Sequence, residues 1–179
     1  MEINRTVLLV LDMQERLLPV IYENEKLIHN VIKLIKGVNL LNIPVIYTEQ
    51  YPKGLGETCL DIKENLENAK YFSKDEFSAF PSLEKELIKL KTCGVDTIVV
   101  VGVETHICVY QTIRDLIDAE FNVIVPFDAV SSRDVCNYEN GISLLREEGA
   151  SVRNIETILF DLLKSSRHSE FKSISKLIK

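Results

Sequence analysis

Residues 95–116, VDTIVVVGVETHICVYQTIRDL, hold the most informative pattern of this sequence. The run 98–103 is β-branched apart from Gly102, which is typical of a strand buried on both faces of a sheet. Side chains that suit the buried face of a helix then recur at Val109, Thr112, Ile113 and Leu116. Cys108 therefore lies where a buried strand passes into a helix, and there the helix dipole favours a thiolate. The position suits a nucleophile, although a small buried cysteine is an equally good interpretation.

Strand-like and helix-like patterns alternate along the rest of the chain. Strand patterns occupy 6–11, 44–48, 70–74, 98–103, 121–125 and 151–155. Helical patterns occupy 25–42, 61–66, 81–93, the residues after Cys108, 133–148 and 156–164, whereas 49–56 reads as a loop. Short connections between alternating elements predict a mostly parallel α/β sheet with helices on both faces. Right-handed crossovers then favour a three-layer, doubly wound, Rossmann-like fold with six strands in the order 3-2-1-4-5-6.

Some residues mark the expected ends of these elements. Asn24 is expected to cap the first long helix, and Ser131 or Ser132 the helix that precedes the last strand. Residues 165–179 are polar, with apolar side chains spaced for an amphipathic helix that packs on the body or on a neighbouring subunit. We find no repeat or linker, so we predict one domain over 1–179 with 165–179 as its tail.

Composition limits the class of protein. The chain has 179 residues, 46% of them hydrophobic, and a net charge of −6, which indicates a globular protein and disfavours nucleic-acid or membrane partners. The first residues lack the pattern of a signal peptide. Its cysteines are widely spaced and form no CxxC motif, which predicts reduced thiols in the cytoplasm. We expect three of them to be inert: Cys59, Cys93 and Cys136.

The predicted topology brings a carboxylate and a thiol together. Asp12 ends the first strand and Cys108 follows the fourth, so both should lie at the crevice where the strand order reverses. A thiol beside a carboxylate suits acyl transfer, because the carboxylate can take the thiol proton. A nearby cation would stabilise the thiolate. Lys74, at the end of the third strand, is a candidate, but the pattern alone does not prefer it to Lys53 or Lys70.

Four segments of the chain carry a family resemblance: DMQ at 12–14, TEQYPKGLG at 48–56, KDEFSAF at 74–80 and GVETHIC at 102–108. In their order and spacing, DMQ, KDEFSAF and GVETHIC resemble the isochorismatase-like cysteine hydrolases, and TEQYPKGLG resembles the isochorismatase domain-containing proteins among them. The similarity runs from the first strand to about Leu163.

The resemblance implies a role for several residues. Cys108 would be the nucleophile, Asp12 its general base and later the acid, and Lys74 the partner of Asp12. The Val103–Glu104 bond would be a cis peptide. The backbone N–H groups of Glu104 and Cys108 would then form an oxyanion hole.

Departures from related families narrow the expected chemistry. Nicotinamidases of this superfamily carry an Asp-x-His metal motif after the second strand, whereas this chain has Glu-Gln-Tyr at 49–51, so we expect no metal and no cofactor. The presence of Cys108 favours a small-molecule, amide-like, non-peptide C–N bond over the vinyl ether of isochorismate. Candidate pocket residues are Gln14, Gln50, Tyr51, Phe77 and His106.

The sequence leaves other interpretations open. A non-catalytic binding or scaffold protein could keep the same fold and site. A thiol redox sensor based on Cys108 is a third interpretation, although no second cysteine is close in sequence. The leading expectation is a metal-independent cysteine hydrolase that acts on a small molecule as a homo-oligomer.

Overall fold

The computed structural model describes residues 1–179 and contains seven strands and eight α-helices. The strands are β1 Thr6–Leu11, β2 Val45–Gln50, β3 Lys70–Lys74, β4 Thr97–Val103, β5 Asn122–Pro126, β6 Val130–Ser131 and β7 Ser151–Arg153. The helices are α1 Asn24–Leu40, α2 Pro52–Leu55, α3 Leu60–Lys63, α4 Phe80–Thr92, α5 Tyr110–Asp118, α6 Val135–Glu147, α7 Ile155–Leu163 and α8 Phe171–Ile178.

The sheet is parallel and has the order β3-β2-β1-β4-β5-β7. This confirms the predicted order, with β7 as the sixth predicted strand. The additional strand β6 pairs with the end of β4, and its two residues are too few to show a pattern. Leu11, the last residue of β1, pairs with Thr48 on one side and Gly102 on the other. The residues that follow β1 and β4 therefore meet at one edge of the sheet.

Helices cover both faces of the sheet, as predicted. Successive side chains of β1 point to opposite faces of the sheet, with Leu8 and Val10 on one face and Val7, Leu9 and Leu11 on the other. One apolar core joins the sheet to α1, α7 and α8, and a second joins it to α4, α5 and α6. The sheet is thus the middle of three layers.

The start of two helices differs from prediction. Asn24 does not cap α1: it is the first helical residue, and its side-chain amide donates to the carbonyl of Leu18. Asp134 caps α6 by accepting the N–H of Cys136 at 2.8 Å. The serines expected as caps are engaged elsewhere, because Ser131 belongs to β6 and the hydroxyl of Ser132 contacts His106.

Two further segments were predicted only in part. The segment 49–56 is not all loop, because β2 continues to Gln50 and α2 follows after Tyr51, whose φ of 38° is left-handed. The tail forms α8, which packs on α1 and α7 of the same chain and buries Ile174. None of the helices has the length and apolar character needed to cross a bilayer.

Candidate functional site

A buried ion pair lies at the carboxyl edge of the sheet. Asp12 follows β1 with a left-handed φ of 55°, and Lys74 is the last residue of β3. The Lys74 Nζ lies 2.7 Å from the Asp12 Oδ2, and both side chains are 0% exposed. Of the three candidate lysines, only Lys74 reaches Asp12, since Lys53 is exposed and Lys70 pairs with Glu86.

Strand β2, which lies between β1 and β3, holds both members of this pair. The Thr48 hydroxyl donates to the Asp12 Oδ1 at 2.7 Å. The Lys74 ammonium donates to the Gln50 Oε1 at 2.7 Å and contacts the carbonyls of Glu76 and Phe77 at 3.2 and 3.1 Å. Each charge is therefore surrounded by fixed dipoles of the right sign, which offsets the cost of its burial. Sequence reasoning missed Thr48, although its place beside the end of β1 was a signal.

Cys108 lies between β4 and α5 in a π-helical turn, Thr105–Val109, that continues into α5. Its side chain is buried. Burial, followed by the Asp12 carboxylate, raises the pKa of the Cys108 thiol, and the Lys74 ammonium opposes both, so that the pKa lies at about 12. The expectation that the helix start would favour the thiolate is wrong for the free site, because burial and a neighbouring negative charge outweigh the helix dipole. The thiol keeps its proton at neutral pH, and Asp12 is the group beside it that can accept that proton.

The end of β4 allows the two catalytic candidates to approach. Gly102 has a φ of 117°, and a Cβ atom there would lie 2.0 Å from the carbonyl oxygen of Leu11. Only glycine therefore lets β4 and β1 lie this close. The next peptide bond, Val103–Glu104, is cis. The Glu104 side chain accepts from the N–H and the Nε of Arg133, at 2.9 and 3.2 Å.

Two of the candidate pocket residues are engaged inside the protein. Gln14 is fully buried, and its Oε1 accepts the N–H of Gln50 while its Nε2 donates to the carbonyls of Gln50 and Gly56. Gln14 therefore supports the loop after β2 rather than lining a pocket. The Gln50 Oε1 accepts from the Lys74 ammonium, and its Nε2 donates to the carbonyl of Asp75, so this side chain orients the ion pair.

The other three candidates lie nearer the surface. Tyr51 and Phe77 are 53% and 56% exposed. Tyr51 and Lys74 share the lining of a cavity of about 360 Å³. The Nδ1 of His106 lies 2.9 Å from the hydroxyl of the buried Ser132, which fixes the ring beside the Cys108 turn.

The remaining thiols stand apart from this arrangement. All four cysteines are free; Cys93 and Cys136 are exposed and Cys59 is partly buried. No three His, Cys, Asp or Glu side chains are grouped so as to hold a metal ion.

Known proteins resemble this chain over almost all of its length. A model of the isochorismatase domain matches residues 6–157. The secreted isochorismatase effector Isc1 of Phytophthora sojae is 38% identical over 178 residues, covering 97% of this chain and 84% of the effector. Zebrafish isochorismatase domain-containing protein 2 is 35% identical over 174 residues, covering 97% of this chain and 86% of its own. A solved structure described as MAR1 ribonuclease from Caenorhabditis elegans has a TM-score of 0.93 and 37% identity, with 99% and 91% of the two chains covered. The strand order, the motifs at the sheet edge and these similarities agree: the chain belongs to the isochorismatase domain family.

Proposed function

We propose that this protein is a hydrolase in which Cys108 attacks the carbonyl carbon of a small-molecule, amide-like substrate. One observation carries the proposal: the Asp12–Lys74 pair is fully buried and its two charges act directly on the Cys108 thiol. A buried ion pair does not by itself indicate a stabilising role, since apolar residues of similar size in its place often stabilise a protein equally well. Such a pair beside a buried thiol is better explained by proton transfer.

The reaction follows from the positions of these groups. Asp12 takes the proton of Cys108 as the sulfur bonds to the carbonyl carbon, and the carbonyl electron pair moves to oxygen. The N–H groups of Glu104 and Cys108 are the proposed donors to that oxyanion. When the oxyanion collapses, the C–N bond breaks, and the amine leaves with the proton that Asp12 returns. Water, deprotonated by Asp12, then hydrolyses the thioester and releases the acid and the thiol.

The substrate class rests on the chemistry of the site and on charge. A thiol nucleophile suits an acyl carbon, and the exposed ring of Tyr51 offers apolar surface in the cavity that Lys74 also lines. The C. elegans relative is described as a ribonuclease. A net charge of −6 does not favour binding of a phosphate backbone. RNA therefore belongs in the substrate screen as the competing class, beside small amides.

We also propose that the protein works as a homo-oligomer. Three exposed apolar side chains that line one cavity support this, since a contiguous apolar patch commonly marks an interface: Tyr22, Phe127 and Val135. The predicted cytoplasmic location stays a prediction, because the P. sojae relative is described as secreted.

Alkylation of Cys108 by iodoacetamide, read by peptide mass spectrometry, tests the proton transfer. The Asp12→Asn variant separates two explanations, because the Asp12 charge raises the pKa of the thiol. If only the thiolate fraction set the rate, removing that charge would speed the reaction. If Asp12 takes the proton, Asp12→Asn will be slower than the wild type, by about 10²-fold or more. Cys93 and Cys136, both exposed, serve as internal references.

Cys108→Ala should abolish turnover and leave the fold intact, and full activity in that variant would refute the proposal. Faster alkylation in Asp12→Asn would refute the role of the base and favour the scaffold interpretation. Reversible oxidation of Cys108 by peroxide, without turnover of any amide, would favour the redox sensor.

A further inference from the structure

Two hydrogen bonds connect the segment after Lys74 to the helix after Cys108. The Ala79 N–H donates to the hydroxyl of Thr112 at 2.9 Å. The Ser78 hydroxyl donates to the Asp115 Oδ2 at 2.5 Å. Neither bond belongs to the sheet or to a helix, and no step of the proposed reaction uses them.

The first end of this connection determines where the Lys74 ammonium lies. Four oxygen atoms surround the Nζ, and two of them are the backbone carbonyls of Glu76 and Phe77. Only Ser78 separates Phe77 from Ala79. A shift of the Ala79 N–H must therefore move the Phe77 carbonyl, and the ammonium with it.

The second end is rigidly tied to the nucleophile. Thr112 lies four residues after Cys108, and the Thr105–Val109 turn continues directly into α5. Residues four apart in a helix share one face, so the Thr112 hydroxyl and the Cys108 sulfur have a fixed relation. Thr112 and Ala79 are both 0% exposed, so water cannot replace either group.

Ser78 provides a second link at the same place. Its hydroxyl oxygen accepts the N–H of Phe80, the first residue of α4, at 3.2 Å while its proton goes to Asp115. Hydrogen bonds therefore connect three parts of the chain: the start of α4, the turn that holds Lys74, and the face of α5 that carries Thr112 and Asp115.

We propose that Thr112 is a positioning residue, which sets the separation of the Lys74 ammonium and the Cys108 sulfur through the Ala79 N–H, with Ser78 and Asp115 as a second link. The inference rests on the proposed function. Thr112 itself contacts neither thiol nor substrate in this role, so its loss should lower kcat and leave KM almost unchanged.

Thr112→Val tests the inference, because valine keeps the shape and removes the acceptor. Alkylation of Cys108 at neutral pH should fall about tenfold, as expected for a small misplacement of a charged group. Its pH profile should also move to higher pH, since Lys74 lowers the pKa of the Cys108 thiol. Thr112→Ser keeps the acceptor and should restore both. Thr92→Val is the matched control, because the Thr92 hydroxyl bonds only within α4.

The outcomes separate this inference from the proposal it rests on. If Cys108 is alkylated as fast in Asp12→Asn as in the wild type, the proposed function fails. If it depends on Asp12 but Thr112→Val matches Thr92→Val in rate and pH profile, the function stands and the positioning role is refuted. If Thr112→Val does not fold, Ser78→Ala decides: slower alkylation with a shifted profile supports the connection, and an unchanged profile overturns it.

Discussion

Replacing Lys74 with methionine should destabilise the protein strongly, because the Asp12 carboxylate would stay buried without its counter-charge. Methionine keeps the unbranched side chain, so the substitution tests charge more than packing. The charged groups lie 2.7 Å apart, and neither side chain is exposed. At an effective dielectric constant of about 20, two unit charges at that separation attract by about 6 kcal/mol.

A proton limits the expected loss. Asp12 can relieve its uncompensated charge by taking up a proton, which for an ordinary aspartate costs about 4 kcal/mol at pH 7. The Thr48 hydroxyl continues to stabilise one carboxylate oxygen. The free energy of unfolding should therefore fall by about 3–4 kcal/mol, within the range for a broken buried pair.

Urea unfolding of three proteins measures this effect: wild type, Lys74→Met, and the double variant Asp12→Asn with Lys74→Met. The double variant removes both charges and keeps an oxygen for the Thr48 hydroxyl, so it should lie within about 1–2 kcal/mol of wild type. A Lys74→Met protein as stable as wild type would refute the reasoning. So would a double variant no more stable than the single one, because the loss would then come from packing.

Two further predictions concern Gly102 and the pH dependence of stability. Gly102→Ala should lower the free energy of unfolding by at least about 3 kcal/mol, since the new Cβ meets the Leu11 carbonyl at 2.0 Å. Gly94→Ala, at a φ of 91° in open space, should cost only about 1–2 kcal/mol, and equal losses in urea would contradict the close approach. The folded state raises the pKa of Cys108 from 9.0 to about 12, so it favours the protonated thiol, and this stabilisation is full below pH 9 and disappears as the pH rises through 12. Between about pH 9 and about pH 11, the free energy of unfolding should therefore fall by roughly 2–3 kcal/mol more in the wild type than in Cys108→Ala. Parallel curves of this free energy against pH for the two proteins would show that burial does not hold the proton.

The order of the sheet, and the meeting of the residues after β1 and β4 at one edge, could be predicted because they depend on strand ends. The length of a buried strand can be read from its run of apolar residues, and the carboxyl ends of parallel strands lie at the same edge of the sheet. Choosing Lys74 over Lys53 and Lys70 needed the structure or the resemblance, since all three lysines lie near a predicted loop or strand end. What decides is that only Lys74 is buried against Asp12.

The side-chain environment could not be predicted, because it depends on competition between partners. Ser132 and Asp134 are both good helix caps; Asp134, directly before α6, is the cap, whereas the Ser132 hydroxyl contacts His106. The pKa of Cys108 follows the same logic. Its place at a helix start suggested a stabilised thiolate, but burial and the Asp12 charge decide the direction. The topology predicted Asp12 beside the thiol, whereas the balance between burial, the carboxylate and the helix dipole cannot be read from spacing.

Strand β2 explains why the two halves of the site need each other. Asp12 and Lys74 come from strands that are not neighbours, so their contact must cross the end of β2. Alternate residues of a strand face the same way, and here Thr48 reaches Asp12 while Gln50 reaches Lys74. Glu49, between them, accepts the N–H and hydroxyl of Thr58 at 2.6 and 2.9 Å and ties down the following loop. The TEQ triplet thus positions the Asp12–Lys74 pair without contributing a charge to it. Gln14 of the DMQ motif holds the triplet in place, because its side chain bonds both the N–H and the carbonyl of Gln50. A change at Gln14 or in the TEQ triplet should therefore disturb the thiol of Cys108 without contacting it.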